Sequence, residues 1–111
     1  MEARATAKYV RGSAQKIRLV VDLIRGKNVS DALTILRFTK KRASKDVEKV
    51  LKSAVANAEQ RAEAVDVDSL YVSQAYVNEG PRMKRIRPAP MGRAYRYQRR
   101  LSHISIQVSE K

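Results

Sequence analysis

Residues 70–108, LYVSQAYVNEGPRMKRIRPAPMGRAYRYQRRLSHISIQV, contain two alternating segments on either side of a strongly basic stretch. Residues 103–108 alternate between apolar Ile104, Ile106 and Val108 and polar His103, Ser105 and Gln107. In the first segment Leu70, Val72, Gln74 and Tyr76 alternate with Tyr71, Ser73, Ala75 and Val77, and β-branched and aromatic side chains are frequent. This period of two is typical of half-buried strands. We predict strands over 70–77 and 103–108, paired as one long antiparallel hairpin around 79–100.

The segment between the two strands has an unusual charge. No carboxylate lies between Glu79 and Glu110, whereas eight basic residues do, seven of them Arg, together with all three prolines of the chain. The planar guanidinium group suits bidentate phosphate contacts, and Tyr95 and Tyr97 offer faces for base stacking. An extended arm cannot bury a core of its own, so we expect it to be ordered when packed into RNA. A solvated, flexible basic tail is the alternative, which the flanking strand patterns disfavour.

Three helices precede this hairpin in the prediction. Apolar side chains recur at helical spacing over 13–25, over 31–39 and in a third segment that ends near Arg61. Ser13 and Ser30 are the predicted N-caps. Gly26 suits the left-handed position that ends the first helix. The third helix has small side chains that allow a neighbouring element to approach closely: Ala54, Ala56, Ala58 and Ala62. The first ten residues alternate weakly and predict a further strand.

Composition narrows the class of protein. The chain has 111 residues, enough for one domain, and its hydrophobic fraction of 43% can form one modest core. The formal net charge of +13 favours an anionic partner, with nucleic acid ahead of an anionic membrane surface. The absence of Cys excludes disulfides and Cys-ligated zinc. With neither an apolar leader nor a membrane-spanning stretch in the sequence, we expect a soluble, cytoplasmic protein.

Catalytic chemistry finds little support. His103, the one histidine, lies in a predicted strand, where a structural role is more common than a catalytic one. Asp66 and Asp68 are a weak signal for a metal site, because two carboxylates in a polar loop usually serve only to interact with water. The sequence also lacks a glycine-rich phosphate loop after a strand. We predict a protein that is not an enzyme, with no catalytic residue, no metal site and no cofactor.

A second basic surface surrounds the first helix and the link between the second and third, and we expect it to bind phosphates together with the arm. The predicted RNA-binding residues are Arg11, Ser13, Lys16, Arg18, Arg25, Lys27, Lys40, Lys41, Arg42, Arg82, Lys84, Arg85, Arg87, Arg93, Arg96, Tyr97, Arg99 and Arg100.

Five segments resemble a known family. SAQKIRLVVDLIRGK (13–27), SAVANAE (53–59), EGPRMKRIRP (79–88), GRA (92–94) and SHI (102–104) resemble the family of bacterial large-subunit ribosomal protein twenty-two. The likeness extends over almost the whole chain, and the five segments together are very specific.

The resemblance implies an α+β fold, with three helices packed on a small antiparallel sheet and a long protruding basic β-hairpin. We accordingly expect a single domain over 1–111, with a globular body of 1–78 and 101–111 and an arm of 79–100. The resemblance also implies a structural constituent of the large ribosomal subunit that binds large-subunit ribosomal RNA and aids early assembly. Other implied partners are neighbouring large-subunit proteins, among them protein four, and the nascent peptide. We expect neither membrane contact nor a homo-oligomer.

The family's hairpin tip lines the nascent-peptide exit tunnel near its constriction and is linked to macrolide antibiotics. Carried over to this chain, the tip consists of Met83, Lys84, Arg85, Ile86, Arg87, Pro88, Ala89, Pro90, Met91, Gly92 and Arg93. The chain departs from many relatives at one point, where Ala89-Pro90-Met91 replaces Arg-Ala-Lys. The tip therefore has two fewer positive charges and one more proline.

Two other readings of the sequence remain open at this point. Helices 13–25 and 31–39, joined by a short turn with Gly26, superficially resemble a DNA-binding helix-turn-helix. The densest charge lies outside that unit, however, and the second helix has few side chains suited to reading base edges. A cationic membrane-surface protein would need a basic amphipathic helix with large apolar residues exposed.

Overall fold

The structure is a computed structural model that describes residues 2–61, 67–88 and 94–110, with the backbone alone for 67, 82–88 and 94–99. Its elements in chain order are β1 (Glu2–Arg11), α1 (Ala14–Ile24), α2 (Val29–Phe38), α3 (Arg42–Arg61), a 3-10 turn (Val67–Ser69), β2 (Leu70–Pro88) and β3 (Ala94–Glu110). The predicted α+β class, the three helices and the three strands are confirmed. Among the described residues, no helix is long and apolar enough to cross a membrane.

The three strands form one antiparallel sheet in the order β1-β3-β2. The weak alternation of the first ten residues therefore does mark a strand, which pairs with the end of the chain. The predicted hairpin is also confirmed, because β2 and β3 pair from Leu70 opposite Glu110 to Pro88 opposite Ala94. The molecule is accordingly long and narrow, with principal extents of 65 × 25 × 15 Å.

The core lies between one face of the sheet and the helices. On β3, Ile104, Ile106 and Val108 are fully buried, as their spacing of two requires of one face. α1 contributes Ile17, Val20, Val21 and Ile24 to this core, and α3 contributes Val47, Val50, Leu51, Ala54 and Ala58. The buried apolar surface of these side chains stabilises the packing of helices on sheet by about 25 cal/mol per Å².

The small residues of α3 act as predicted where they face the sheet. Ala54 and Ala58 are fully buried, whereas Ala56 is exposed, and Ala62 lies outside the described residues. The close approach lets α3 reach the outer edge of β1: the Asn57 side-chain amide donates to the Arg4 carbonyl oxygen (2.9 Å) and the Arg61 guanidinium donates to that of Glu2 (3.0 Å). Side chains of α3 thus satisfy carbonyl groups that an edge strand would otherwise leave open.

The end of α1 is fixed by the other edge of the sheet. Gly26 has φ +80°, which confirms the predicted left-handed residue, and its N–H donates to the Val72 carbonyl oxygen (3.0 Å). The Val72 N–H donates in turn to the Lys27 carbonyl oxygen (2.9 Å). The turn between α1 and α2 is therefore tied to β2 along its backbone.

One predicted helix start and one predicted capping hydrogen bond need correction. α2 begins at Val29 with Asn28 as N-cap, two residues before the predicted start, so Ser30 lies in the first turn. The reason is that Asn28 already pairs with Tyr71 of β2, and the helix begins as soon as that pairing ends. Ser13 is the N-cap of α1 as predicted, but its hydroxyl makes no capping hydrogen bond.

Candidate nucleic-acid interface

An open groove of about 990 Å³ lies where α1, the start of α3 and the end of the sheet meet. It brings together six of the predicted RNA-binding residues from four parts of the chain: Arg11, Ser13, Lys16, Lys41, Arg42 and Arg100. The remaining walls are Gly12, Gln15, Ile17, Leu19, Ala43 and Asp46.

Two hydrogen bonds of the Gly12 backbone to β3, here called the clasp, form one end of this groove. The Gly12 N–H donates to the Arg100 carbonyl oxygen (3.1 Å), and the Ser102 hydroxyl donates to the Gly12 carbonyl oxygen (2.8 Å). Gly12 has φ +146°, and a Cβ there would lie 3.2 Å from Cδ1 of Ile17. Glycine is therefore required for the chain to turn from β1 into α1 while staying bonded to β3. The clasp fixes Arg11 beside Arg100.

The groove has a strongly positive charge. Five of its side chains are cationic (Arg11, Lys16, Lys41, Arg42 and Arg100), and Asp46 is the one carboxylate among its lining residues. Arg11, Lys16, Lys41, Arg42 and Arg100 are all exposed. A concave surface with this balance concentrates anions, and phosphate groups are the anions that Arg and Lys bind best.

Two predicted RNA-binding residues of α1 lie elsewhere and bond to the protein itself. The Arg18 guanidinium donates twice to the Val77 carbonyl oxygen (3.1 and 2.9 Å). The Arg25 guanidinium donates twice to that of Ala75 (3.1 and 2.7 Å) and pairs with Asp22 (2.7 Å). Both arginines thus cover carbonyl groups on the outer edge of β2. Lys27 and Lys40 are exposed and lie outside the groove.

The arm is the outer part of the hairpin formed by β2 and β3. A register shift between Glu79 and Arg82 separates the body from the outer hairpin, and beyond it Arg82 is paired with Arg100. Further out, Arg85 is opposite Tyr97 and Ile86 is opposite Arg96. Arg82 and Arg100 are like charges at directly opposite positions, which destabilises this pair unless an anion lies beside it.

The predicted tip falls partly within the described chain. Met83–Pro88 belong to the end of β2, and residues 89–93 lie outside the described residues, as does the departure at 89–91. The side chains of the predicted arm contacts Arg82, Lys84, Arg85, Arg87, Arg93, Arg96, Tyr97 and Arg99 are likewise not described. Their role stays a prediction.

Six lining residues of the groove were not among the predicted interface residues, and three of them, Gln15, Leu19 and Asp46, lie on the outer faces of helices. Gln15 and Leu19 are one turn apart on α1, and Asp46 is one turn after Arg42 on α3. Leu19 is 54% exposed, so it is an apolar residue on the outer face of α1. The four-residue spacing between Gln15 and Leu19 is visible in the sequence. Which face of α1 lies next to the start of α3 depends on tertiary packing, so the sequence did not predict that these residues line the groove.

The described residues give no metal cluster: none of their His, Asp and Glu side chains form a group of three or more. Nδ1 of His103 accepts a hydrogen bond from the Tyr9 N–H (3.1 Å), which fits the structural role favoured from sequence. Asp66 lies outside the described residues, and Asp68 belongs to the 3-10 turn before β2.

The exposed face of α2 offers little for base readout. Its charged residues are Asp31 and Arg37, one of each sign. Since the turn before it is bonded to β2, α2 also lacks the independence of a recognition helix entering a groove. These features disfavour the helix-turn-helix hypothesis.

Comparison with known proteins agrees with this geometry. The family model for ribosomal protein L22p/L17e matches residues 5–109. A large ribosomal subunit protein uL22 from Solibacter usitatus is 68% identical over 111 residues, covering 100% of this chain and 98% of the relative. The proteins of the same name from Thermoanaerobacter sp. (strain X514) and Clostridium novyi are 60% and 55% identical, each over 100% of this chain and 99% of the relative.

These relatives are structural ribosomal proteins and not enzymes, and the same holds for this chain, as predicted. The predicted resemblance is likewise confirmed. The groove and the basic hairpin are thus features of a chain that belongs to the ribosomal protein L22p/L17e family and is a structural constituent of the large ribosomal subunit.

Proposed function

We propose that this chain binds large-subunit ribosomal RNA through one continuous surface formed by the groove and the arm. The observation that carries the proposal is the place of Arg100. This residue lines the groove beside Arg11, and it is also paired with Arg82 at the base of the arm. Cations of the body and of the arm therefore meet at one point, and a single RNA segment is able to contact both.

The mechanism is electrostatic and steric. Lys and Arg side chains neutralise phosphates and release the counterions condensed on the RNA, so binding weakens as salt rises. The arm inserts between RNA segments and fixes their arrangement, which gives the protein a part in early assembly of the subunit. RNA is a suitable host for the arm because its irregular grooves accept a narrow two-stranded element.

The tip over 83–93 lines the nascent-peptide exit tunnel in this proposal, with large-subunit protein four and the nascent peptide as its neighbours. The support is family membership together with the paired strands that lead to the tip. Ala89-Pro90-Met91 gives the tip fewer cations than many relatives have, so we expect weaker phosphate contacts there. The chain acts on cytoplasmic ribosomes, without a cofactor, a membrane or a second copy of itself.

Arg18 and Arg25 take a different part in this scheme. Their guanidinium groups are bonded to the carbonyl oxygens of Val77 and Ala75, so we propose that they primarily hold α1 to the edge of β2. Any contact with RNA then comes from donors that remain free on the same fork. The five cations of the groove are the principal phosphate ligands of the body.

Salt dependence of RNA binding tests the groove. We expect the double variant Lys16→Ala, Arg42→Ala to lower the slope of log K against log salt by up to about 2, since each lost phosphate contact removes about 0.7–0.9. The measurement is filter binding of transcribed large-subunit ribosomal RNA over a range of salt concentrations.

The matched control is Lys49→Ala, Lys52→Ala, which also removes two exposed cations but on a part of α3 outside the groove. Its slope should stay close to that of the unchanged protein. Equal slopes for the two double variants would contradict a groove that binds phosphates.

A further inference from the structure

Tyr9 has a backbone conformation that its side chain does not favour. Its φ is +60°, and within the described part of the chain it is the one non-glycine residue with positive φ. Bulky residues rarely adopt this left-handed region, because Cβ comes too close to the following carbonyl oxygen. Glycine or asparagine is the usual occupant. Something other than backbone preference therefore accounts for a tyrosine here.

The strain arises at a bulge in β1. Ala7 is paired with Ile104 and Val10 with Ser102, so Lys8 and Tyr9 together are opposite the single residue His103. A bulge of this kind redirects a side chain, and bulges are frequent beside functional sites. Here the bulge turns the Tyr9 ring outward, where 61% of the residue is exposed.

His103 holds Tyr9 in this position. Its Nδ1 accepts the Tyr9 N–H (3.1 Å), and the two ring centroids are 5.1 Å apart with an interplanar angle of 85°. On its other side His103 is next to Gly80, where a Cβ would lie 3.2 Å from Nε2. The absence of a side chain at Gly80 thus leaves room for the imidazole. The Tyr9 ring is presented edge-to-face by a residue that is itself tightly placed.

The pair lies on the sheet face opposite to the helices. His103 shares this face of β3 with Ser105 and Gln107, which are hydrogen-bonded to Thr6 (3.2 Å) and Arg4 (2.9 Å). Tyr76 of β2, directly opposite Ser105, adds a second partly exposed ring. Among the described residues of β3, Leu101 is the one large aliphatic side chain that alternation places on this face, and it is half-buried. The rest of this face of β3 is polar, which is unsuited to an apolar protein partner.

The chemistry of this face fits a nucleobase. Aromatic rings stack on the faces of unpaired bases, and a neighbouring cation neutralises the phosphate that follows. Lys8 is exposed directly beside Tyr9, and Arg4, also exposed, lies four residues before Lys8 on β1. Glu2 is the one described carboxylate that alternation places on this face of β1. The charge of the patch therefore complements RNA.

We propose that Tyr9 forms a stacking site for an unpaired RNA base on the open face of the sheet, with His103 as its positioning residue and Lys8 as the contact for the adjoining phosphate. The site is separate from the groove and rests on the proposed function, because it presupposes that ribosomal RNA surrounds the body. Strained residues persist where the strain serves a function. The exposed Tyr9 ring does not contribute to the packing of the core, so its function lies at the surface.

Three variants test the site with transcribed large-subunit ribosomal RNA as the probe. Tyr9→Asn removes the ring and tolerates positive φ, so it should fold with a melting temperature at or above that of the unchanged protein. We expect it to bind the RNA about tenfold more weakly, the loss of one stacked base. Tyr9→Phe keeps the ring and should bind within about twofold of the unchanged protein.

The matched control is Phe38→Ala, which removes an even more exposed ring (78% exposed) from the end of α2 and should also stay within about twofold. The slope of log K against log salt should be the same for Tyr9→Asn and the unchanged protein, because stacking releases no counterions. This readout separates a lost base contact from a lost phosphate contact.

Two outcomes would overturn the stacking site but not the proposed function, provided that binding of the unchanged protein still depends on the groove. The first is an unchanged RNA affinity of Tyr9→Asn. The second is an equal loss of RNA affinity in Tyr9→Phe and Tyr9→Asn. Failure of the unchanged protein to bind the RNA would overturn the proposed function together with the stacking site. As a second readout, the chain has no tryptophan, so Tyr9→Trp provides a single reporter. Its emission should be quenched on binding RNA while that of Phe38→Trp is not, and equal quenching of the two would overturn the site.

Discussion

Ile106→Ala should destabilise the protein by about 3–5 kcal/mol, the largest effect we expect of any single truncation in the core. Ile106 is fully buried on the middle strand, β3. Its direct neighbours on the same face are Ala5 on β1 and Ala75 on β2. With alanine on both sides, no large side chain is available across the sheet to fill the space, so the cavity term adds to the lost transfer free energy.

Urea denaturation followed by circular dichroism measures this effect. Ile106→Val is the matched control and should cost only about 0.5–1.5 kcal/mol, because it removes a single methyl group. A loss in Ile106→Ala as small as that of the valine variant would mean that α1 and α3 collapse into the space. The sheet would then contribute less to the rigidity of the core than its packing indicates.

Removal of the arm should leave the body folded and abolish most of its RNA affinity. The register sets the design: Arg82 is opposite Arg100, so an Asn-Gly turn between these two residues replaces 83–99 without disturbing the pairing below. All described apolar core residues lie in Ala3–Val77 or Ile104–Val108. We therefore expect cooperative unfolding to persist, with a free energy of unfolding within about 1 kcal/mol of that of the full chain.

RNA affinity of the shortened chain should fall at least about 100-fold at low salt, since the arm contributes six cations between 84 and 99. A second variant separates charge from shape by keeping the full arm with these six residues changed to Gln. It should lose nearly as much affinity, because the phosphate contacts supply most of the binding free energy. A shortened chain that binds as tightly as the full one would place the whole interface on the body.

The sequence predicted the elements of this fold because each has a clear period. The alternation of 103–108 buries one face of its strand, and the stripe of Ile17, Val20, Val21 and Ile24 buries one side of its helix. The strict alternation predicted for 70–77 was wrong, because a register shift between Val72 and Gln74 brings Ala75 and Val77 onto the buried face of Leu70 and Val72. Strand order followed less directly. The pairing of β1 with β3 depends on contacts between residues ninety or more positions apart along the chain, which local pattern does not encode.

The predicted start of α2 was wrong for a related reason. Ser30 is a good N-cap by local chemistry, but the backbone of Lys27 and Asn28 pairs with β2 and moves the helix start to Val29. Tertiary hydrogen bonds here outweigh a capping preference of about 1 kcal/mol. The same kind of contact gives Arg18 and Arg25 bonds to the edge of β2 that sequence charge alone did not predict.

The sequence predicted the chemical character of the candidate site but not which residues lie together in it. Charge counting found the cations of the groove, because a dense excess of Arg and Lys is visible without a structure. It did not find that Lys16, Arg42 and Arg100 share one groove, or that Tyr9 is held outward by His103. Both facts depend on where a turn or a bulge directs the chain.

Directed hydroxyl-radical cleavage of the RNA tests the central claim most directly. The chain has no cysteine, so one introduced at Gln15 in the groove takes an iron chelate at a single place. A cysteine at Gln60, near the far end of the helix that starts at the groove, lies about 25 Å or more from Arg42 at 1.5 Å per residue. We predict strong, localised cleavage of large-subunit ribosomal RNA from position 15 and weaker cleavage from position 60. Equal cleavage from both positions, or stronger cleavage from position 60, would contradict a groove that is the RNA interface.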